Sequence, residues 1–551
     1  MQIYSDKVFK NPLKVITAFD NKSFISAFDT IENLKNKYYL VGYIRYEAKN
    51  IFLGKEISSN CPLLYFEAFS DYETFKQSEN SDDIFLFPTP KISFEDYKIG
   101  FNKIKEEISC GNTYEVNYTF DFQIDTDYSS TEIYNHFLKE QKTPYNAFLQ
   151  NEYEEILSFS PELFFRKNKD EIFTKPMKGT MKRGSTEKED KENIEFLRND
   201  IKNRAENIMI VDLLRNDLGR ISKTASVKVP KLFEIETHKT LHQMTSEITS
   251  TLKDNVKLYD IFKAIFPCGS ITGAPKISTM NIIDKVEVGK RNVYCGAIGL
   301  IHQDFCEFSV PIRILQKQKN SCSYIYRAGG AVVWDSDVKD EWKEAILKTN
   351  FLSANSADWQ LIETLKVENK TPLLWKEHLN RLKTSAKNLN FVFNQSIENI
   401  KFSKDGMYRI LLSKNGDFNV VVKDLDEISN NKIIISDKTV DPKNIFLYHK
   451  VTYRPYYEKS LEKIKRNEIY DEIFFNRKGE LTEGSRSNII LKINGELYTP
   501  PLECGLLNGT YRQKMLNDGI CKEKILYRED LLKAKNIYCI NSVRGMREVY
   551  L

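Results

Sequence analysis

The stretch Thr174 to Gly184, TKPMKGTMKRG, decides how this chain is interpreted. It places Lys178 between a proline and a glycine, after the apolar run from Leu163 to Phe173. An apolar run that ends in proline and glycine is typical of a strand followed by a sharp turn, so the pattern predicts an amine directed from a turn into a cleft. A lysine in a basic loop is more often solvated than catalytic, and the neighbouring segments therefore decide its role.

Length and charge limit the class of protein. The 551 residues exceed what one hydrophobic core normally holds and predict two or more domains. Lys and Arg number 81 against 77 Asp and Glu, and this small excess without a polybasic run argues against a nucleic-acid partner. The absence of a membrane-length apolar run and of a signal-like block predicts a cytoplasmic protein with no membrane partner. The nine cysteines form no Cys-x-x-Cys pair and predict neither disulfides nor zinc.

Two segments near Lys178 add carboxylates. SFSPELFF places Glu162 after a proline, at the start of a predicted strand. The ordinary interpretation of a glutamate at such a position is a carboxylate in a turn. Residues 187 to 219 predict one long helix ending at Gly219. Glu206 adjoins its apolar stripe, which consists of Ile194, Leu197, Ile201, Ala205 and Ile208. A carboxylate placed there needs an arginine or a metal ion as partner, because burying an unpaired charge is costly.

The segment FPCGSITGAPK contains a Gly-x-x-x-Gly turn entering a helix, whose free amides could hold an anion. It lacks the Gly-Lys-Ser/Thr ending of a nucleotide P-loop, so a carboxylate ligand fits better than ATP or GTP. Tyr294 to Leu300 and Glu307 to Leu315 are predicted strands, the second presenting Arg313. RAGGAVV, from Arg327 to Val333, is a predicted strand whose glycines let a ligand approach the backbone.

Residues 335 to 351 predict a helix that carries Glu341, Glu344 and Lys348 on one face. Two carboxylates so placed repel each other unless a cation lies between them. Together with Glu206 they offer the hard oxygen ligands that suit Mg2+. The alternative is a solvent-facing helix stabilised by Glu–Lys pairs.

Six of these motifs, SFSPE, PMKGT, AENIMIVDLLRNDLGR, FPCGSITGAPK, YCGAIG and DSDVKDEWKE, resemble the chorismate-utilising enzyme family, in that family's order, across roughly residues 94 to 352. The resemblance implies an α+β fold in which helices flank an antiparallel β-sandwich. The lysine of P-x-K-G-T resembles the aminodeoxychorismate synthase members, whereas anthranilate synthases usually have alanine there. Isochorismate-forming and salicylate-forming members carry a lysine base where this chain has Glu115, which argues against water as the final nucleophile.

The resemblance also implies roles for individual residues. Lys178 would be the covalent nucleophile, Glu162 the general acid or base, and His242 a neighbour of the substrate ring. The implied Mg2+ ligands are Glu206 and Glu344, with Glu341 in support. The residues implied to bind chorismate are Ser270, Tyr294, Arg313, Gly329, Gly330 and Lys348.

In the implied reaction Lys178 adds to the ring as the hydroxyl leaves, and ammonia then displaces the lysine to give 4-amino-4-deoxychorismate. Lys178 must be neutral to attack, so we expect burial or nearby cations to lower its pKa. The sequence contains no segment resembling a glutaminase, and ammonia is therefore expected from a separate glutamine amidotransferase subunit or from solution.

Ser353 to Asp358, SANSAD, reads as a linker between domains at 1–352 and 359–551. Beyond it the pattern predicts a strand and a helix from about Trp375, then Lys450 at a strand end in YHKVTYRP. The segment from Glu483 to Asn488 is predicted to lie in hairpin strands. LLNGTYRQKML predicts a glycine turn entering a helix, which suits a phosphate group.

Five motifs in this region, ETLKV, HLNRLKTSA, HKVT, LTEGSRSNII and LNGTYR, resemble the fold-type IV, or class IV aminotransferase, family of pyridoxal phosphate enzymes. The resemblance implies a two-subdomain fold with Lys450 as the Schiff-base lysine and Glu483 as the partner of the pyridine nitrogen. The other residues implied to bind the cofactor are Arg381, Asn488, Thr510, Tyr511 and Ser542. Thr364 is expected to assist protonation of the leaving group, and Arg409 to bind substrate.

Class IV enzymes include amino-acid aminotransferases and aminodeoxychorismate lyase. Linkage to the first domain favours the lyase, which would eliminate pyruvate from the aminated product and leave 4-aminobenzoate, a folate precursor. Two alternatives stay open: an anthranilate synthase fused to an aminotransferase, and a non-catalytic second domain. A homodimer formed through the second domain is also consistent with the resemblance.

Overall fold

A computed structural model describes residues 1–76, 84–140, 143–184, 186–238, 241–353, 359–389, 391–425, 429–454 and 456–551. The chain divides into two compact units, Met1–Asn355 and Ser356–Leu551. Apart from Ser353, the predicted linker Ser353 to Asp358 lies outside the described residues. No helix in the described part of the chain is long and apolar enough to cross a membrane.

The first unit contains two ten-stranded sheets whose paired strands are antiparallel. The strands of the first sheet are Gln2–Tyr4, Lys7–Phe9, Glu73–Thr74, Thr89–Pro90, Glu115–Asp125, Tyr145–Gln150, Glu154–Ser160, Gly273–Ala274, Ile314–Gln318 and Ser323–Val332. The strands of the second sheet are Lys14–Ala18, Tyr39–Ile44, Leu64–Phe69, Leu163–Asn168, Glu171–Lys175, Met177–Lys182, Lys228–Thr237, Leu241–Thr251, Ala297–His302 and Phe305–Ser309.

Both sheets contribute side chains to one large apolar core. A second core lies where the first sheet packs against helices such as Phe94–Ser109. The helices of this unit are Asn21–Leu34, Lys49–Phe52, Phe94–Ser109, Ser130–Glu140, Glu187–Asn199, Ile201–Gly219, Leu258–Ile265, Lys276–Val286, Val338–Leu347 and Asn350–Ser353, with short 3-10 turns at Tyr46–Ala48 and Gly269–Ile271. This arrangement confirms the predicted α+β fold with an antiparallel sandwich and flanking helices.

The predicted long helix from 187 to 219 is wrong, because the chain breaks at Asp200. Asp200 has an extended backbone, and its carboxylate accepts the backbone N–H of Asn203 at 2.8 Å, so it caps a second helix. The predicted stripe is confirmed only in part: Leu197 is buried, but Ile201 is 85% exposed and Ile208 is exposed. The buried face of the second helix carries Asn207, Ile210, Val211, Leu214, Asp217 and Leu218 instead.

Three strand predictions also need correction. The run from Leu163 to Phe173 is a hairpin, because Lys169 adopts a positive φ of 55° between the strands Leu163–Asn168 and Glu171–Lys175. Arg313 is in no strand: with a φ of 54° it lies where the chain passes from one sheet to the other. Tyr294 lies in the turn before Ala297–His302. Apolar composition alone does not reveal such reversals.

The second unit contains three smaller sheets. Their strands are Leu361–Glu368, Thr371–Pro372, Gly406–Leu412 and Phe418–Lys423; then Ile433–Val440, Asp471–Asn476 and Leu481–Gly484; then Asn488–Ile493, Glu496–Thr499, Lys522–Glu523, Asn536–Asn541 and Gly545–Val549. Its helices are Trp375–Asn388, Glu458–Lys465, Thr510–Asn517 and Arg528–Lys533, with 3-10 turns at Gln395–Asn399, Ile445–Leu447 and Leu502–Cys504. Glu483 and Asn488 lie in hairpin strands, as predicted: Leu481–Gly484 pairs with Asp471–Asn476, and Asn488–Ile493 pairs with Glu496–Thr499. The two hairpins belong to different sheets.

Candidate active sites

Lys178 lies on an edge strand, Met177–Lys182, rather than in the predicted turn. The pairing register shifts between Met177 and Thr180, where Gly179 adopts a φ of 83°. A bulge of this kind redirects a side chain. The Lys178 side chain is only 12% exposed, and its Nζ donates to Glu115 Oε1 at 2.6 Å. Because Glu115 begins a strand of the other sheet, this hydrogen bond joins the two sheets.

The pKa of Lys178 is raised, contrary to the prediction. Burial alone would lower it, but the charge and hydrogen bond of Glu115 act in the opposite direction and prevail, with help from the charges of Glu206 and Glu162. The contact with Glu115 therefore favours the ammonium form of Lys178.

Glu162 provides a group that can donate a proton near neutral pH. It is 3% exposed, and its Oε1 accepts the hydroxyl of Ser270 at 2.6 Å. Burial raises the pKa of Glu162 to about 7, although the Ser270 hydrogen bond and the charge of Lys178 act to lower it. This value suits a general acid. Ser270, predicted as a substrate ligand, is carried by the turn Gly269–Ile271 and binds Glu162.

Two of the predicted metal ligands meet beside Gly330. Glu341 is 8% exposed; Ser336 donates to its Oε1 at 2.7 Å, and its Oε2 has no hydrogen-bond partner among the described residues. A Cβ at residue 330 would lie 2.5 Å from that oxygen and 3.5 Å from Glu344 Oε1, so glycine leaves room for both carboxylates. Glu344 is more exposed and pairs with Lys348 at 2.8 Å.

Burial raises the pKa of Glu206, and the charges of Glu115 and Glu344 raise it further, while Lys178 lowers it. Burial likewise raises the pKa of Glu341, and Glu344 adds to the effect. Within the described ranges no three His, Cys, Asp or Glu side chains come close enough to form a metal site. The unpaired oxygen of Glu341 and the mutually repelling carboxylates nevertheless fit a divalent cation.

The other predicted chorismate ligands differ in their surroundings. Lys348 Nζ donates to the carbonyl oxygen of Gly329 at 2.7 Å. Tyr294 is buried, and burial raises its pKa well above the ordinary value, whereas burial lowers the pKa of Arg313. A Cβ at Gly329 would collide with the backbone of Tyr118 on the adjacent strand. Strand packing therefore explains this glycine, which was predicted to admit a ligand.

His242 is not bonded to Lys178 or Glu162 in the described structure. Its side chain is fully buried on the strand Leu241–Thr251. One ring nitrogen lies 3.0 Å from Thr237 Oγ1 and the other 2.9 Å from Asp190 Oδ1. Its predicted place beside the substrate ring stays a prediction.

The second unit contains a cavity lined by Arg381, Lys450, Arg454, Glu483, Arg486, Ser487, Asn488, Leu507, Gly509, Thr510, Ile540, Asn541 and Ser542. Six predicted cofactor ligands are in this lining: Arg381, Lys450, Glu483, Asn488, Thr510 and Ser542. Tyr511 is not in the lining, nor are Thr364 and Arg409, which face each other across paired strands. Ser542 Oγ donates to the Thr364 carbonyl at 3.3 Å.

Among the residues that the structure describes, no carboxylate is hydrogen-bonded to Lys450, and most of the charges that act on its pKa are cationic. Burial lowers its pKa to about 7; Arg381, Arg454 and Arg409 add to the decrease, and Glu363 opposes it. Thus a substantial fraction of this amine is neutral near pH 7, as Schiff-base formation requires.

Glu483 is buried and accepts three hydrogen bonds. Tyr457 donates to Oε1, and the Asn488 side chain and the Leu507 backbone N–H donate to Oε2, each at 3.2 Å. Burial raises the pKa of Glu483 to about 7, while Arg454 lowers it. A buried carboxylate, a partly neutral lysine, Arg381 and the helix start at Thr510 together fit pyridoxal phosphate.

Two known families match this sequence in series. Residues 73–354, slightly more than half of the chain, match the chorismate binding enzymes. The chain belongs to the chorismate binding enzyme family. Residues 360–550 match amino-transferase class IV, so the chain combines a chorismate binding domain with a class IV domain.

Relatives of this chorismate binding enzyme carry two different names. Aminodeoxychorismate synthase component 1 of Salmonella typhimurium is 38% identical over 260 residues, covering 46% of this chain and 56% of the relative. Anthranilate synthase component 1 of Aquifex aeolicus is 34% identical over 263 residues, covering 48% and 52%. The chain thus spans about half the length of these curated relatives. Anthranilate synthase component I from Streptococcus pneumoniae TIGR4 shares the fold, with a TM-score of 0.56 and 22% identity over 63% of this chain and 92% of that one.

Sequence reasoning missed one residue that lines the cavity of the second unit and two that contact its lining. Glu363 accepts Arg381 Nε at 2.9 Å and Nη2 at 2.6 Å, so the arginine predicted to bind phosphate is held by a carboxylate. His378 bridges Glu363 at 2.5 Å and Thr510 Oγ1 at 3.3 Å. The spacing of His378 and Arg381 in HLNRL, three apart on a helix, was the available signal. Arg454, which lines the cavity, lay in the quoted YHKVTYRP but was not singled out.

Proposed function

We propose that the first unit converts chorismate and ammonia into 4-amino-4-deoxychorismate, and that the second unit eliminates pyruvate from that product to leave 4-aminobenzoate. The observation that carries the proposal is the buried Lys178 beside the protonatable Glu162. An amine and a carboxylic acid are the two groups needed to replace a ring hydroxyl through a covalent intermediate. The aminodeoxychorismate synthase relatives support the same reaction.

In the first step Glu162 donates its proton to the departing hydroxyl, and Lys178 Nζ forms a bond to the ring. Ammonia then displaces the lysine, and a separate glutamine amidotransferase is the expected source of that ammonia. Mg2+, when bound, would neutralise a substrate carboxylate, with Glu206, Glu341 and Glu344 as its protein ligands. Burial of Lys178 and Glu162 keeps water from competing for the ring.

In the second unit Lys450 would bind the cofactor and later move the ring proton. Pyridoxal phosphate, when bound, supplies an electron sink. Glu483 would hold the proton on the cofactor ring nitrogen, and Arg381 with the Thr510 end of its helix would hold the phosphate. Thr364 would assist protonation of the leaving group and Arg409 would bind substrate. The partly neutral state of Lys450 near pH 7 supports its role as a base.

Product analysis tests the proposal. The full chain is incubated with chorismate, Mg2+, ammonium and pyridoxal phosphate, and the products are separated by chromatography and identified by mass. We expect 4-aminobenzoate and pyruvate in equal amounts, and 4-amino-4-deoxychorismate alone when pyridoxal phosphate is omitted. Anthranilate as product would refute the assignment of the first unit, and accumulation of the aminated intermediate with the cofactor present would refute that of the second.

A further inference from the structure

In the first unit, the amine of Lys178 contacts Glu115. This glutamate begins the strand Glu115–Asp125 and is paired there with Ala274. Its side chain is 1% exposed, and its Oε1 accepts Lys178 Nζ at 2.6 Å. The contact is therefore a buried charge pair between the two sheets rather than a surface salt bridge.

A protonated lysine has no lone pair, so Lys178 must lose a proton before it can attack. Three carboxylates act on it: Glu115, Glu206 and Glu162. Glu162 must keep a proton to release the ring hydroxyl, and Ser270 already occupies one of its oxygens. Glu206 is a proposed metal ligand and makes no hydrogen bond to Lys178 within the described chain. By elimination, Glu115 is the carboxylate that can accept the proton of Lys178.

The hydrogen bond from Lys178 Nζ to Glu115 Oε1 provides the path for that proton. Oε2 is buried and has no hydrogen-bond donor among the residues that the structure describes. Protonation of this carboxylate therefore disrupts no hydrogen bond at Oε2, and it neutralises a group that would lose its cationic partner when Lys178 leaves the pair. Both features favour proton transfer within the pair.

We infer that Glu115 is a catalytic residue that accepts the proton of Lys178 Nζ as this amine attacks the substrate ring. The inference rests on the proposed function of the first unit. As the Nζ–carbon bond forms, the ring carbon–oxygen bond breaks and the hydroxyl leaves as water with the proton of Glu162. Ammonia then adds, Lys178 departs as a neutral amine, the new ammonium returns a proton to Glu162, and Glu115 returns its proton to Lys178.

The variant Glu115→Gln keeps the shape of the side chain but removes the proton acceptor. Without ammonia, the first-order rate of adduct formation on Lys178 is measured by mass spectrometry from pH 6 to 9, alongside Glu115→Asp and the exposed control Glu106→Gln. At pH 7 we expect the Gln variant to be slower by about 10²- to 10⁴-fold, the usual contribution of a general base. The Asp variant, which keeps the carboxylate, should recover part of the rate, and the control should match wild type.

The pH profile separates proton transfer from a structural role. In the Gln variant the proton must pass to solvent before attack, and the dependence on Glu162 is common to both proteins. The wild-type to variant rate ratio should therefore shrink by about tenfold per pH unit below the pKa of Lys178 in the variant, and level off above it. A ratio near one at pH 7, or a reduced rate with the same ratio at every pH, would overturn the inference.

A second readout is independent of catalysis. Competitive labelling of Lys178 by an amine-selective reagent across pH measures its pKa, which should be lower in Glu115→Gln than in wild type because the partner charge is gone. An unchanged pKa would overturn the inference. If wild type formed no adduct, the proposed function would fail, while the labelling would still show whether Glu115 controls the proton on Lys178.

Discussion

Each unit of the chain buries a lysine, but the two lysines have opposite surroundings. Burial acts to lower the pKa of both. At Lys178 the contact with Glu115 outweighs burial and the pKa is raised; at Lys450 three arginines reinforce burial and the pKa falls to about 7. The comparison shows that burial alone does not determine the charge of a lysine: the decisive question is whether a carboxylate touches the amine.

The different surroundings of the two lysines suit two different ways of moving a proton. Lys450 can exchange protons near neutral pH without a bonded acceptor. Glu363 is the carboxylate that raises the pKa of Lys450, and its two oxygens both accept hydrogen bonds from Arg381, while one of them also contacts His378. Lys178 instead donates a hydrogen bond to Glu115, the carboxylate that we infer takes its proton as the amine attacks.

The largest expected effect comes from removing the nucleophilic amine of the first unit. Lys178→Ala should lower the amination of chorismate by roughly 10³-fold or more, the scale on which loss of a covalent nucleophile acts. Lys182→Ala, an exposed lysine on the same strand, is the matched control and should retain activity. The aminated product is quantified by chromatography with saturating ammonium. Equal rates for Lys178→Ala and wild type would remove the covalent step.

The corresponding change in the second unit is Lys450→Ala. We expect it to abolish the absorbance band of covalently bound pyridoxal phosphate and to stop the reaction at 4-amino-4-deoxychorismate, while amination continues. Lys438→Ala, at an exposed lysine of the strand Ile433–Val440, should keep the band. No band in the wild-type protein would instead favour a non-catalytic second domain.

Loss of the general acid should have a somewhat smaller effect. Glu162→Gln is expected to slow amination by about 10²- to 10⁴-fold. Because the proton-bearing form is the active one and the pKa of Glu162 is about 7, wild-type kcat/KM for chorismate should be level below pH 7 and fall above it. The pH profile is measured at a constant concentration of free ammonia. A rate that rises through pH 7 would assign Glu162 the opposite role.

The smallest effect is expected at His378, which touches Thr510 and Glu363 but does not line the cavity. His378→Asn should weaken the affinity for pyridoxal phosphate by about fivefold, the equivalent of one hydrogen bond of roughly 1 kcal/mol. Absorbance titration of the cofactor measures the affinity directly. Unaltered affinity would show that this histidine does not position the phosphate-binding residues.

The sequence predicted the elements whose pattern is local. The helix predicted from about Trp375 begins at that residue and runs to Asn388. Local pattern failed where a single residue reverses or interrupts the chain. Asp200 splits a helix and Lys169 creates a hairpin, and neither residue type forces such a break on its own.

In the candidate sites, local sequence pattern also failed to predict contacts between residues that are distant in sequence. Motif order singled out Lys178, Glu162, Lys450 and Glu483 as candidates, but it did not reveal the partner of Lys178, which lies 63 residues away on another sheet. Likewise, the contact between Glu363 and His378 depends on the packing of a strand against a helix. Pairings of this kind depend on tertiary structure, which local sequence patterns do not contain.

The most direct test of the account is to locate the covalent bond. The wild-type chain is mixed with chorismate and Mg2+ without ammonia, quenched and digested, and its peptides are analysed by mass spectrometry. The account predicts that a mass equal to chorismate minus water appears on Lys178 and disappears when ammonium is added before the quench. Turnover without any adduct, or an adduct on a different residue, would contradict it.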